Sequence, residues 1–450
     1  MKTLKQVKNL IIGFGKGGKT LAAFLAKQNE SVAIIEQSTE MYGGSCINIA
    51  CIPTKSLIVQ AEKRIGYHRA FIVKEKLTAT LRQKNFEKLA VLENTSVITG
   101  TASFISQNKV KVGLATGQEI HIEAERIFIN TGSLPDIPSI EGIDSKKVFT
   151  STSMMENAEK PEKLLIIGGG FIGLEFADMF AKFGTEVTLL DRQERFLPKE
   201  DEDISGELLK VLTEKGIQIL SNANVEKVVD VNSDLIKTYF TDNGARKTIE
   251  TNAVLIATGR RPNTEGLNLE AAGIQTGKDG FIQVDDKLKT NVPHIWALGD
   301  VNGGPQFTYI SLDDFRVVKN QLIGKNEYTS IKDRKSFPTC VFVSPPLAQV
   351  GLSEKRARQQ GHEVRIFKIS ANTIPKAAIL DEQRGLLKAV IDTKTNRILG
   401  CTLFCALAHE VINTVQLAID AGLTYDVLRD MVYTHPSMTE ALNDLFSDAH

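Results

Sequence analysis

An α/β architecture of two doubly wound halves followed by a smaller α+β unit is predicted for this chain, and three observations carry the prediction. A strand, glycine turn, helix and strand recur in the same order at two places. Each copy closes on a further strand ending in Thr-Gly. From about residue 337 the texture changes to alternating strands (CVFV, LLKAVID, ILGCTLF) and then to helical periodicity in HEVINTVQLAIDAG, as expected of a unit that serves association rather than nucleotides.

The first copy starts with the strand-like VKNLIIG, enters Gly13-x-Gly15-x-x-Gly18, continues into a helix, and reaches the strand VAIIE, which ends at Glu36. The second starts with KLLIIG, enters Gly168-x-Gly170-x-x-Gly173, and reaches VTLLD, which ends at Asp191. In both, the first glycine and the acid are 23 positions apart. Glycines so spaced permit a tight turn and let a pyrophosphate approach a helix N-terminus, while a strand-end carboxylate accepts a ribose hydroxyl. A lone glycine motif is weak evidence. Two copies, each in strand–turn–helix–strand context with an acid at the right offset, predict two dinucleotide sites, and two sites in one chain imply an electron relay. The closing strands are IFINTG, ending at Thr131-Gly132, and VLIATGRRP, passing through Gly259. A further strand, IWALGD, ends at Asp300, which without that context is a turn carboxylate.

The stretch GGSCINIACIPTK places Cys46 and Cys51 five residues apart. At about 100° per residue, one continuous helix would hold the two on different faces and beyond disulfide reach. With Pro53 in the first turn of a helix, Cys51 falls at the helix entrance and Cys46 on an irregular loop able to fold back, so a bridge becomes possible. Free N–H groups at that entrance favour a thiolate at Cys51. The competing reading is two small buried core residues, the ordinary fate of cysteine. The nucleotide motifs on either side favour the redox couple.

Composition narrows the function. Lysine plus arginine equal aspartate plus glutamate at 54 each, and no basic run is interleaved with aromatics, which argues against a nucleic-acid partner. The longest apolar runs fall far short of the roughly 20 residues of a membrane span. The opening MKTLKQVKNLIIGFG mimics a signal peptide weakly, but its apolar run leads directly into a glycine motif, so it is read as the first strand of a cytoplasmic protein. Five cysteines are too few, and an odd number, for a disulfide-stapled secreted fold. Cys340, Cys401 and Cys405 fall in or beside β-like runs and are expected in the core.

Together these motifs resemble the pyridine nucleotide-disulfide oxidoreductases, the family of lipoamide dehydrogenase, glutathione reductase and mercuric reductase, over nearly the whole chain. GGSCINIACIPTK, IFINTG, IWALGDVNGGPQFTYISLDDFRVV and THPSMTEALNDLF are most similar to the reactive-chlorine-resistance branch, mercuric-reductase-like copper(II) reductases of bacteria. The resemblance implies a glutathione-reductase-like fold: an FAD-binding domain over 1–152 and 269–336, an NAD(P)-binding domain over 153–268, and a dimerisation domain over 337–450.

It also implies roles. FAD lies on Gly13, Gly15 and Gly18, with Glu36 on the adenosine ribose, Gly44 and Ser45 near the pyrophosphate, Thr131 and Gly132 lining the site, Asp300 at the ribityl chain or a nearby phosphate, and Thr308 at the flavin pyrimidine end. Lys55 lies near flavin N5 and pairs with Glu175, opposite charges that suit a buried place. Gly168, Gly170, Ile172, Gly173 and Gly259 hold the nicotinamide cofactor. Asp191 welcomes a ribose hydroxyl and repels a 2′-phosphate, whereas the adjoining Arg192 stands where a phosphate-binding arginine falls, so NADH is expected to be favoured and NADPH tolerated. His435-Pro436-Ser437-Met438-Thr439-Glu440 resembles the family's HPTxxE box, in which Glu440 orients His435 as an acid/base that reaches the disulfide of the other subunit, implying a homodimer.

Departures from the pattern matter. Ala50 stands where most relatives have glycine, and Ser437 replaces threonine. The chain ends LFSDAH without the C-terminal cysteine pair of many mercuric reductases and lacks their N-terminal metal-capture domain, so efficient mercury handling is not expected. In the implied mechanism Cys51 faces the flavin and Cys46 the substrate. Soft thiolates favour Cu(I) over Cu(II), so the reduced pair is expected to hold copper transiently and reduce it. Reduction of a small disulfide such as lipoamide stays open, and so does a redox sensor whose disulfide reports oxidant.

Overall fold

In the computed structural model, which describes residues 3–447, the chain forms two compact units. One comprises the chain up to Ile137, Ser151–Ala158 and Gly259–Arg334; the other comprises Pro138–Thr150, Glu159–Thr258 and the chain from Lys335 on.

The first unit is organised on a seven-stranded sheet. Its parallel part runs in the order Thr95–Thr99, Val32–Glu36, Thr3–Ile12, Glu119–Ile129, and Ile295–Ala297 adds parallel to the end of the last of these. Lys109–Gly113 and Thr101–Ser106 extend the sheet as an antiparallel wing. The five residues of Val32–Glu36 are all buried, as a strand covered on both faces requires. The helix Lys16–Lys27 presents Leu21, Ala22, Leu25 and Ala26 to that sheet at helical spacing, in one core with Ile11, Phe14, Ile34 and Phe128. Each fully buried leucine of this kind contributes about 2 kcal/mol. Core packing thus fixes where the helix begins, and with it the glycine turn.

The second unit holds a five-stranded parallel sheet in the order Gln218–Leu220, Glu186–Leu190, Lys163–Ile167, Ala253–Ile256, Val148–Thr150. A three-stranded antiparallel sheet, Ala223–Asp230, Ile236–Asp242 and Ala245–Thr251, accompanies it. Beyond residue 337 the alternating pattern becomes a five-stranded antiparallel sheet, from Thr339–Val341 to Val364–Ser370 at its edges, against which the helix Ala408–Asp420 packs. Cys401 and Cys405 are buried in its core, where lack of solvation pushes both thiols upward, and Cys340 packs on the core's margin. The fold is therefore mixed α/β with a terminal α+β part.

One local expectation changes. Cys46 lies in a short helical turn, Ser45–Asn48, rather than on an irregular loop. Gly43 and Gly44 precede it at φ of 100° and 78°, a reversal that starts the new turn, and the amide of Asn48 donates back to the carbonyls of Tyr42 and Gly44.

Candidate active site

Cys51 is the first residue of the helix Cys51–Glu62, with Pro53 in its first turn, where a missing N–H costs nothing. Cys46, on the preceding turn, is within hydrogen-bonding contact of Cys51. The contact with Cys51 and burial push the Cys46 thiol strongly upward, while Thr308 and Lys19 act in the other direction. Thr308 opens the helix Thr308–Leu322, and its hydroxyl lies 3.6 Å from the Cys51 sulfur. Two consecutive helix beginnings and a third from 257 residues further along the chain therefore meet at one pair of sulfurs.

The first glycine motif lies in the same unit. Gly15 caps the helix Lys16–Lys27 with no side-chain bond of its own; the N–H groups of Gly17 and Gly18 are taken by Ser311 and Asn130, and the positive end of the helix dipole still favours an anion there. Gly44 approaches closely: a Cβ on it would stand 2.8 Å from Gly15 Cα, at a φ of 78°. Glu36, buried at the strand end, accepts from Phe14 N at 3.1 Å and Gln37 N at 2.9 Å. Burial raises its carboxyl to about 7 against those donors. The Thr131 hydroxyl is buried with no hydrogen-bond partner among the described residues, and Gly132 has a φ of 74°. A helix start at a glycine turn, two converging glycine backbones, an orphaned hydroxyl and a buried carboxylate fit the dinucleotide implied by the sequence. Valine at Gly44 meets both the left-handed backbone and the Gly15 backbone, at a strain of about 1–3 kcal/mol. Gly44→Val is expected to be purified with FAD well below one per chain, read from flavin absorbance against protein.

Asp300 belongs to the turn Gly299–Asn302 and accepts from the Ser133 hydroxyl at 2.6 Å. Arg260 in turn donates to Ser133 Oγ and to its carbonyl, each at 2.7 Å. Burial lowers the Arg260 guanidinium, opposed by the charges of Asp300 and then Cys51. A buried cation thus stands in the field of Asp300 and Cys51. The sequence reading passed over Arg260, although it quoted the run GRRP that contains it.

Two more residues in this unit were passed over. Asn130 accepts from Gly18 N at 2.8 Å and donates to the Leu298 carbonyl at 2.6 Å, joining the glycine turn to the strand before Asp300. Ser311 accepts from Gly17 N at 3.1 Å. Partners 112 and 294 residues away in sequence left no local trace to read.

The second glycine motif repeats the geometry in the other unit. Gly168 has a φ of 116°, and Gly170 caps the helix Phe171–Lys182, again without a side-chain cap, whereas Gly259, at a φ of 145°, is the first residue of the chain's return to the first unit. Ile172 and the buried Gly173 follow in its first turn. Asp191, buried, accepts from Gln193 N at 3.2 Å, and a Cβ on Gly169 would lie 2.5 Å from its Oδ2. The middle glycine is thus required by the acid, a constraint the spacing alone does not reveal. Arg192 is exposed.

Lys55 lies in the second turn of the Cys51–Glu62 helix, half-buried. Glu175, on the helix Phe171–Lys182 of the other unit, accepts from Phe342 N at 3.1 Å. Near the C-terminus, His435 Nδ1 and Glu440 Oε2 are 2.8 Å apart, and Glu440 Oε1 accepts from Ser437 N at 3.2 Å. The bond to His435 holds the Glu440 carboxyl below its ordinary value. His435 remains 73% exposed, so its Nε2 is presented outward. Among the described residues no group of three or more His, Cys, Asp or Glu side chains is placed to hold a metal ion, and no helix is long and apolar enough to cross a membrane.

The family model described as pyridine nucleotide-disulphide oxidoreductase matches residues 7–314, and that of its dimerisation domain matches residues 337–446. The chain is 45% identical to a probable pyridine nucleotide-disulfide oxidoreductase, RclA, of Escherichia coli, over 99% of both chains. It is 33% identical to a mercuric reductase of Lysinibacillus sphaericus, over 96% of this chain and 81% of the relative. A solved structure described as the Cu(II) complex of the HOCl-induced flavoprotein disulfide reductase RclA from Escherichia coli superimposes with a TM-score of 0.95 at 45% identity, covering 98% of this chain and 99% of that one.

Proposed function

The chain belongs to the pyridine nucleotide-disulphide oxidoreductases, flavoprotein enzymes that use FAD and NAD(P)H, and from that premise we propose that it reduces Cu(II) through Cys46 and Cys51 in defence against oxidative chlorine stress. The observation that carries this reading is the contact of the two sulfurs at the entrance of the Cys51–Glu62 helix. The similarity to a reductase solved as a Cu(II) complex supports copper as the acceptor.

When bound, the nicotinamide cofactor and FAD would supply two electrons to the Cys46–Cys51 pair. The chain's residues do the rest. Gly13, Gly15, Gly18, Gly44 and Ser45 would hold the FAD pyrophosphate, Glu36 its ribose, and Thr131, Gly132 and Asp300 the remainder of the dinucleotide. Thr308 and the Arg260 charge steady Cys51, on the cofactor side. Cys46 faces outward. The dithiol binds copper as soft thiolates, gives one electron to each of two Cu(II) ions, releases two protons, and closes again to the disulfide, leaving two Cu(I). A reducing cytoplasm suits such a cycle.

Gly168, Gly170, Ile172, Gly173 and Gly259 hold the nicotinamide cofactor, with Asp191 on its ribose. Asp191→Ala is expected to raise kcat/KM for NADPH relative to NADH by about ten-fold, one 1.4 kcal/mol step, by removing the carboxylate that repels a 2′-phosphate while Arg192 remains. Steady-state kinetics with the two nucleotides check it.

A second reading has its own support. The 2.8 Å contact of His435 with Glu440 is suited to protonating a leaving thiolate, which copper does not require. It favours reduction of a small disulfide in a homodimer assembled through residues 337–446. Anaerobic oxidation of NADH by the holoenzyme with Cu(II), Hg(II), oxidised glutathione and lipoamide ranks the two. Turnover with copper alone supports the first, and turnover with a disulfide alone supports the second.

A further inference from the structure

Two buried carboxylates stand side by side in the first unit. Asp313 and Asp314 lie in the helix Thr308–Leu322, with 9% and 3% of their side chains exposed. Adjacent buried anions require a counter-charge. Arg334 supplies it: its Nε donates to Asp313 Oδ2 at 2.6 Å and its Nη2 to Asp314 Oδ1 at 2.8 Å, so one planar fork spans both carboxylates. Arg334 is itself seated, directly after the turn Ile331–Asp333, which Ser330 and Asp333 close as a capping box. Asp313 also accepts from the Tyr328 hydroxyl at 2.9 Å and from Arg316 Nη1 at 3.3 Å. For Asp314, Arg334 is the only paired cation among the described residues. The other oxygen of Asp314, Oδ2, accepts from Gly299 N at 2.8 Å. Gly299 opens the turn that holds Asp300, at a φ of 72°, where a Cβ would stand 2.8 Å from Ser311 Oγ. One line of bonds thus runs from the Arg334 guanidinium to the amide beside Asp300.

We propose that Arg334 is a positioning residue for the flavin half of FAD: through Asp314 it holds the Gly299 amide and so sets where Asp300 stands relative to Thr308, given the reading that these two residues face that half of the cofactor. The turn Gly299–Asn302 and the helix start at Thr308 are joined by residues 303–307, which form no helix or strand. Their spacing therefore depends on bonds such as that of Asp314 to Gly299. Burial raises the Asp314 carboxyl, opposed by the Gly299 N–H and by Arg334. Without the guanidinium, two uncompensated charges would lie side by side, and Asp314 would turn toward water or take up a proton, either of which loosens its hold on Gly299. The helix is held separately, by the buried Ile310, Val317 and Val318. The glycine motif is held separately too, through Asn130 and Ser311. Loss of Arg334 accordingly falls on the turn with Asp300 and spares the adenosine half of the site.

The test uses the full chain, stripped of flavin and titrated by calorimetry with FAD and, separately, with ADP, which carries the adenosine and pyrophosphate but neither ribityl chain nor flavin. Arg334→Met is expected to weaken FAD about ten-fold, the scale of one hydrogen bond to a charged group, and to leave the affinity for ADP unchanged. A general loosening of the fold would weaken both ligands alike. Arg334→Lys, a point charge that meets one carboxylate at a time, is expected to fall between Arg334→Met and wild type. Asp314→Asn keeps an acceptor for Gly299 N but not the bond from Arg334; it is expected to weaken FAD selectively by less, and serves if Arg334→Met does not accumulate. Unchanged FAD affinity in Arg334→Met, or equal weakening of FAD and ADP, overturns the proposal, and the same outcomes in Asp314→Asn do so if that variant alone is obtained. Asp300→Ala, expected to weaken FAD and not ADP, checks the premise separately. No selective loss in Asp300→Ala overturns instead the placement of Asp300 at the cofactor.

Discussion

Cys46→Ser is expected to lower NADH-driven Cu(II) reduction by at least about a thousand-fold, the scale on which removing a covalent redox group acts, with FAD content and flavin reduction by NADH retained. The reason is the geometry of the pair. Cys46 and Cys51 touch, and neither alone can cycle between dithiol and disulfide. A serine hydroxyl is a hard ligand with an alcohol's reluctance to ionise, so it neither binds Cu(I) nor closes a bond to sulfur. Serine differs from Cys46 in one atom, and the turn that carries it is held by the bonds of the Asn48 amide to the Tyr42 and Gly44 carbonyls, so the substitution leaves the dinucleotide-binding backbone in place. Stopped-flow traces under nitrogen separate flavin reduction from copper reduction. Copper reduction undiminished in Cys46→Ser would assign the metal to another route.

His435→Ala has the second largest expected effect, and it divides the acceptors. General acid–base catalysis is worth about 10²–10⁴-fold, so turnover with oxidised glutathione or lipoamide is expected to fall within that range. Cu(II) reduction is expected to change by less than about three-fold, because electron transfer to a metal leaves no thiolate to protonate. The side chain is mostly exposed and held by Glu440 alone among the described groups bonded to its ring, so its loss costs little packing. Glu440→Gln is expected to fall between wild type and His435→Ala with disulfide acceptors, since an amide still meets Nδ1 but holds no charge against the imidazolium. Initial rates with the two acceptor classes check both variants.

Much of the fold was legible because its decisive features are local. A glycine turn with positive φ, a strand long enough to be covered on both faces and an acid at its end are all written within about thirty residues, the length of one βαβ unit. The change of texture near residue 337 was legible as a run of strands, which pair there as an antiparallel sheet, although its central strands Leu386–Asp392 and Ile398–Phe404 are buried along nearly their whole length rather than on alternate residues. Cys51 at the start of a helix followed from Pro53. The turn holding Cys46 did not, because it depends on Gly43 and Gly44 adopting left-handed backbone in succession, which sequence permits without requiring. Asn130, Ser311 and Arg260 escaped notice because their partners come from other elements and only folding brings them together. Arg334 was hidden differently. An arginine in the charged run IKDRK reads as solvated, and only Asp313 and Asp314 show that it is seated.

The central claim is that electrons from the nicotinamide arrive at one pair of sulfurs, and counting thiols under nitrogen tests it most directly. The oxidised holoenzyme is alkylated, digested and mapped before and after NADH is added. The account predicts that two new thiols per chain appear, at Cys46 and Cys51, that Cys340, Cys401 and Cys405 label identically in both samples, and that added Cu(II) returns the pair to the disulfide. Cys46 and Cys51 labelling equally before and after NADH would contradict it.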